Sequence, residues 1–522
     1  MTALSFNKYF LLISCLFLMA CSGTRQLPSG EKLYTGAEVK LDPAVDLKNS
    51  RLVKTTVKNA IRPEPNKSFL GMRPKLWRYL KAGDAPKSKF KKWLKKNGEA
   101  PVLMSNVNPN HTSKIIDANL FNNGMFNSHT EYNIIEKKHT SKIVYISHIP
   151  DQYIIKDLIY SFSDDSLNKI ILAEKDKSLI VPGEVYNLSK LKNERIRIDN
   201  LLKDNGYFYF NPDYLLFKAD TSETNHTITL KLTLKDSIQQ NALTVYRINK
   251  VYIDQEYSLN ENPAVRSKDT SMYQNMMFLG NKEEMKIKPK IISRSVYLKK
   301  HEVYSRRNHN ITLNRFMSMG NFKFVRIKFS ESDTSAAGFL DVSILITPMT
   351  KRTFRAEIDL VTKSNNYTGP RLNLNFLNRN TFNGAELLNL NLAGSFETQL
   401  SGKNKNLYSY SLNPQVELIF PRFMVPFRIR TNSLYIPKTS FSVSYNYLKK
   451  VNYFDMSTFQ FAYGFNWKED IRKEHTFNPI SISYSSIGNE SADFLELLAS
   501  NSFLKKSYEE QFIAGGNYSF TY

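Results

Sequence analysis

The chain has 522 residues, a formal net charge of +24 and a mean hydropathy of −0.40. This balance excludes a helical membrane protein. Its two cysteines, Cys15 and Cys21, exclude a disulfide framework and a cysteine-based metal site, so hydrophobic cores must stabilise the fold.

The first element is a short apolar run. Residues 1–20 carry one lysine, Lys8, ahead of an apolar stretch from Phe10 to Ala20. That stretch is too short to span a bilayer as a helix and has the proportions of a signal peptide. It ends Leu18-Met19-Ala20-Cys21, a lipobox, with Cys21 as the lipidation site. Residue 22 is Ser rather than Asp, which in lipoproteins favours the outer membrane. After export, the positive charge points to anionic lipid head groups and not to nucleic acid.

Residues 21–350 contain a pattern repeated three times, with an apolar residue, a Gly four positions on and an aromatic two positions after it. The copies are Leu120, Gly124, Phe126; Leu202, Gly206, Phe208; and Phe316, Gly320, Phe322. Each closes a helical stretch, with the glycine as a left-handed cap, and opens a pair of alternating strands. A short strand precedes each helix. The predicted units are 21–148, 149–240 and 241–350. Their candidate open sheet edges are 227–234 and 340–346.

The first unit carries a basic insertion over 63–101. Trp77 and Trp93 stand among lysines that include Lys91, Lys92, Lys95 and Lys96. Tryptophan and lysine on short amphipathic helices suit a membrane surface. A solvated basic face, or aromatics packed on the first unit, would give the same composition.

Residues 351–522 alternate strictly. Apolar positions at 354–360, 372–376, 388–396, 408–418, 441–447, 459–467, 480–484 and 512–522 interleave with Asn, Ser and Gln. With 29 tyrosines and 34 phenylalanines in the chain, this pattern predicts an antiparallel transmembrane β-barrel with aromatic girdles. The rival is a soluble β-sandwich.

The run Leu201-Leu202-Lys203-Asp204-Asn205-Gly206-Tyr207-Phe208 resembles a POTRA domain, as does the stretch from Phe316 to Phe322. Three such units before barrel strands are similar to the TamA/BamA superfamily of outer-membrane assembly factors. The stretches Asn97-Gly98-Glu99-Ala100-Pro101-Val102 and Phe69-Leu70-Gly71 resemble its lipoprotein branch, the acylated counterpart in the translocation and assembly module. The resemblance implies a fold of three α+β POTRA repeats followed by a barrel. It implies localisation at the cell outer membrane with the POTRA units in the periplasm. It also implies three kinds of partner: outer-membrane lipids, unfolded outer-membrane or surface protein clients, and a periplasm-spanning assembly partner. The function it implies is insertion or translocation of proteins. The alternative is a small-barrel pore or structural envelope lipoprotein.

No catalytic motif appears, and neither an enzyme activity nor a cofactor or metal is expected. The superfamily's barrels have twice as many strands and a Val-Arg-Gly-Phe/Tyr motif in a late loop. No Arg-Gly-Phe or Arg-Gly-Tyr follows residue 350. The expectation is therefore an incomplete barrel, although Tyr518, Phe520 and Tyr522 alternate as in a terminal barrel strand.

Overall fold

The computed structural model describes residues 27–42, 50–69, 72–149, 151–162, 164–222, 224–258, 269–280, 285–333, 337–364, 366–399, 407–427 and 433–522. The lipobox residues Leu18, Met19, Ala20 and Cys21, together with Leu70 and Gly71, lie outside them. The chain packs as two compact units. One is Met1–Asp199 with Asn211–Ile238, and the other is Asn200–Phe210 with Gln239–Tyr522.

The first unit opens with β1 (Leu33–Asp42) and α1 (Ser50–Ala60). The insertion then forms α2 (Pro74–Ala82) and α3 (Lys89–Lys96), and α4 (Pro109–Phe121) leads to the hairpin β2 (His129–Glu136) and β3 (Thr140–His148). Helix α4 begins where the Asn108 side chain accepts from the His111 amide and Pro109 presets the first turn. It stops at Gly124, whose φ of +85° few other residues adopt. The sheet order is β1-β3-β2, with β1 parallel and β2 antiparallel to β3. Its core joins Tyr34, Ile143 and Tyr145 to Ile116 and Leu120.

The second repeat follows the same plan. It runs β4 (Ile154–Tyr160), α5 (Asp165–Ala173), α6 (Leu188–Asp204), β5 (Leu215–Ser222) and β6 (Thr227–Leu234), with sheet order β4-β6-β5.

The third repeat comprises β7 (Arg247–Asp254), β8 (Thr270–Tyr273), β9 (Met276–Leu279), α7 (Pro289–Ser293), α8 (Arg306–Ser318), β10 (Phe322–Glu331) and β11 (Phe339–Pro348). Its sheet order is β10-β11-β7-β9-β8. The unexpected β8–β9 hairpin turns through Gln274 and Asn275, both at positive φ.

This topology corrects the predicted sheet edges. Residues 227–234 form β6 and residues 340–346 lie in β11, and both strands are central. In each repeat the first strand crosses over to lie parallel beside the last, so the last strand gains a neighbour on each side.

Eight further strands form one antiparallel meander. They are β12 (Arg352–Thr362), β13 (Tyr367–Asn378), β14 (Leu387–Gln399), β15 (Tyr408–Phe420), β16 (Lys438–Lys450), β17 (Phe454–Lys468), β18 (Glu474–Gly488) and β19 (Gln511–Thr521). The sheet is open and barrel-like. β12 and β19 are its two edges, with nearly every residue exposed. Between β18 and β19 lies an unexpected helical hairpin, α9 (Ala492–Ser500) and α10 (Ser502–Ser507). Phe494 and Leu498 of α9 bury against Phe454, with Leu448, Met456 and Ile487 alongside.

Candidate functional site

The eight-stranded sheet divides its side chains between two faces. Register places Phe354, Phe376, Leu390, Val416, Val443, Phe461, Ile482 and Ala514 opposite one another in a single row across all eight strands. The neighbouring row, one residue along each strand, reads Arg355, Asn375, Asn391, Gln415, Ser444, Gln460, Ser483 and, at the β19 edge, Ile513. Successive residues of a strand point to opposite faces, so the first row belongs to an apolar face and the second to a polar one.

Side-chain hydrogen bonds knit the polar face. Asn375 donates to Asn389 Oδ1 at 2.8 Å, Ser395 and Ser411 share a bond of 2.7 Å, and Asn478 donates to Asn517 at 2.9 Å. The apolar face carries side-chain bonds near the strand ends, as where Tyr447 donates to Asp455 at 3.1 Å, and leaves large side chains such as Ile358, Leu412 and Val416 exposed. In water this would be a costly apolar expanse. In hydrocarbon it is the surface a membrane strand presents.

The repeat motif builds joints between repeats. Leu120, Leu202 and Phe316 are fully buried. The Tyr153 amide, at the entry to the second repeat, donates to the Gly124 carbonyl at 2.9 Å, and Phe126 packs between Tyr153 and Tyr186. The geometry recurs one repeat later. The Tyr246 amide donates to the Gly206 carbonyl at 2.9 Å, and Phe208 meets Tyr304 and Phe329 edge-on or tilted. At the third copy Phe322 packs on Phe316, and Asn321 donates from its side chain to the Arg379 carbonyl in the turn between β13 and β14. The same turn returns a bond of 2.5 Å from Asn380 to the Lys286 carbonyl, and its Ala385 lies in the core of the third repeat.

In the first two repeats one sheet edge is occupied and the other open, whereas the third repeat's sheet ends in β10 on one side and the short β8 on the other. Segment 102–104 pairs along β1, and segment 183–185 pairs along β4. The outer sides of β2, β5 and β10 pair with no strand among the described residues. Strand β2 is the most apolar of these, with Tyr132, Ile134 and Ile135 exposed. Sequence periodicity missed these edges.

The structure separates the residues of the predicted membrane-surface patch. Trp77 is half-buried with Lys81 Nζ over its ring, and Lys95 lies over Tyr79 and donates to the Asp84 carbonyl. Trp93, Lys91, Lys92 and Lys96 are exposed on α3. Among the described residues no group of three or more His, Cys, Asp or Glu side chains could hold a metal ion.

No family model and no curated protein matches the chain. Among solved structures it is similar to BamA from Haemophilus ducreyi lacking POTRA domains 1–3, at 11% identity and a TM-score of 0.38, covering 70% of this chain and 59% of that one. It is also similar to POTRA3–5 of Haemophilus influenzae BamA, at 11% identity and a TM-score of 0.30, covering 62% and 99%. A third match is CdiB from Acinetobacter baumannii, at 11% identity and a TM-score of 0.26, covering 65% and 63%. The chain thus spans about three-fifths of the length of that first BamA structure, 59%.

Proposed function

We propose that this chain is an outer-membrane lipoprotein that assists insertion or translocation of other proteins. The observation that carries the proposal is the row-by-row division of the eight-stranded sheet into apolar and polar faces, between two unpaired edges. The apolar face sits in lipid, and Cys21 carries an acyl anchor at the same membrane. The open edges β2, β5 and β10 receive extended segments of unfolded clients through main-chain hydrogen bonds, the usual way an exposed strand takes a partner. The sheet edges then offer the client its first pairing partner within the bilayer.

Photo-crosslinking in cells tests this reading. A crosslinker at Asn133 on β2 or Lys218 on β5 should capture newly exported barrel precursors, while one at the exposed helical position Lys114 should not. If none of the three open edges yields adducts while the sheet is membrane-inserted, the pore or structural alternative is the better account.

A further inference from the structure

Helix α3 has an exposed side whose composition the folding of the first repeat does not require. It is eight residues long and carries five lysines, with Ser88 capping the Lys91 amide. Its one fully committed apolar side chain is Leu94, which is buried, as is Leu76 of α2. Phe90 and Trp93 instead remain 67% and 54% exposed, their rings stacked with centroids 6.2 Å apart. At about 100° per residue, Lys89 and Lys96 fall within roughly 60° of Trp93, with Lys92 beyond them on the same flank and Leu94 on the opposite one. Among the described residues none of these three lysines pairs with a carboxylate, and the nearest acids in sequence are Asp84 and Glu99.

We infer that α3 is a second membrane contact, with Phe90 and Trp93 entering the interface of an anionic phospholipid bilayer and Lys89, Lys92 and Lys96 meeting its head groups. Stacked aromatics ringed by unpaired lysines match a surface that is negative outside and apolar just beneath. An acidic protein surface would satisfy the lysines but would give the two rings no apolar layer. The inference draws on the proposed anchor at Cys21 in one respect. The stretch from Cys21 to Leu33 reaches at most roughly 40 Å when extended, which keeps the first repeat within reach of that membrane.

The chain's three tryptophans allow a direct test. Trp467 stacks on His475 in the sheet, so it reports the sheet's own position. Full-length protein with only Trp93 (W77F/W467F), or with only Trp467 (W77F/W93F), is placed in lipid nanodiscs carrying a nitroxide-labelled phospholipid. We expect Trp93 emission to be quenched in anionic nanodiscs and not in zwitterionic ones. Salt at 0.5 M, which cuts the Debye length to roughly 4 Å, should release it. The triple variant K89Q/K92Q/K96Q should weaken the contact by about fivefold for each lysine removed. Quenching of Trp467 without Trp93 overturns the inference and leaves the membrane sheet standing. Quenching of neither overturns both. Trp93 quenching that ignores both salt and the lysine changes overturns the head-group role.

Discussion

Arg315 of α8 donates from both Nε and Nη2 to the carbonyl of Ser433, at 3.2 and 3.1 Å, in the long connection between β15 and β16. Its guanidinium lies 4.6 Å from the centre of the Tyr297 ring. Burial disfavours its charge and lowers its pKa. Together with the Ile436 amide, which donates to Ser318 Oγ at 3.3 Å, it fixes the third repeat to the base of the sheet.

Replacing Arg315 should therefore loosen that attachment before it unfolds either part. Hydrogen bonds from a charged donor contribute about 1.5–3 kcal/mol, and R315A should lose on that order. R315K keeps the charge but neither the fork nor the flat stack, and should fall between. Faster protease cleavage within 421–437 in R315A, with R315K intermediate, is the expected result. Equal cleavage in all three proteins would mean that the contact contributes nothing.

The Gly206 joint gives a second expectation. Gly206 has φ +97°, and a Cβ there would lie 2.7 Å from side-chain carbons of Val245 and Val303. Gly183 has a similar φ of +89° with nothing within 4 Å. G183A should cost roughly 1 kcal/mol for conformation alone, and G206A about 1–3 kcal/mol more for overpacking. Hydrogen exchange at the Tyr246 amide, which donates to Gly206, should accelerate in G206A and not in G183A.

Tyr34 supplies a pH dependence. It is fully buried, and its hydroxyl has no partner among the described residues. Burial first, and then the neighbouring Tyr145, push its phenol up to about 12 from 10.0. A raised folded pKa gives stability that is complete below pH 10 and is lost as pH rises towards 12. Y34F should flatten that loss and leave neutral stability equal or improved, since it removes an unsatisfied group. Thermal unfolding followed by Trp77 emission, with the other tryptophans replaced, checks both points.

The two sheet faces should respond differently to charge. Val443 lies in the apolar row and its neighbour Ser442 on the polar face. V443K should destabilise the membrane-inserted form by about 2–4 kcal/mol near mid-bilayer, whereas S442K should cost far less. Similar denaturant midpoints for the two variants in lipid vesicles would contradict the face assignment.

C21S should abolish incorporation of labelled fatty acid in cells, with the unprocessed chain accumulating. Label retained on the variant would place lipidation elsewhere.

The parts of this fold that were legible are those set by local chemistry. Gly124, Gly206 and Gly320 announce helix ends because a positive φ suits few other residues. The apolar and polar rows follow from a period of two that strands cannot avoid. Pairing was not legible. An alternating strand such as β6 has the same pattern whether it is central or at an edge, and only the parallel return of β4 decides which. The hairpin α9–α10 left a fainter trace, in the Ser491 cap on the Phe494 amide and in Phe494, Leu495 and Leu498 at helical spacing. The exposure of Phe90 and Trp93 depends on Leu94 and Leu76 taking the interior places, which composition does not reveal.

The eight strands alternate in direction from β12 to β19, so the first and last run opposite ways. A segment entering between these two edges can pair antiparallel with both only if it brings an even number of strands. One incoming strand would have to run parallel to one of its neighbours, and three would meet the same conflict. The natural unit of growth for this sheet is thus the hairpin, whose turn lets each added pair restore the direction in which the next must run.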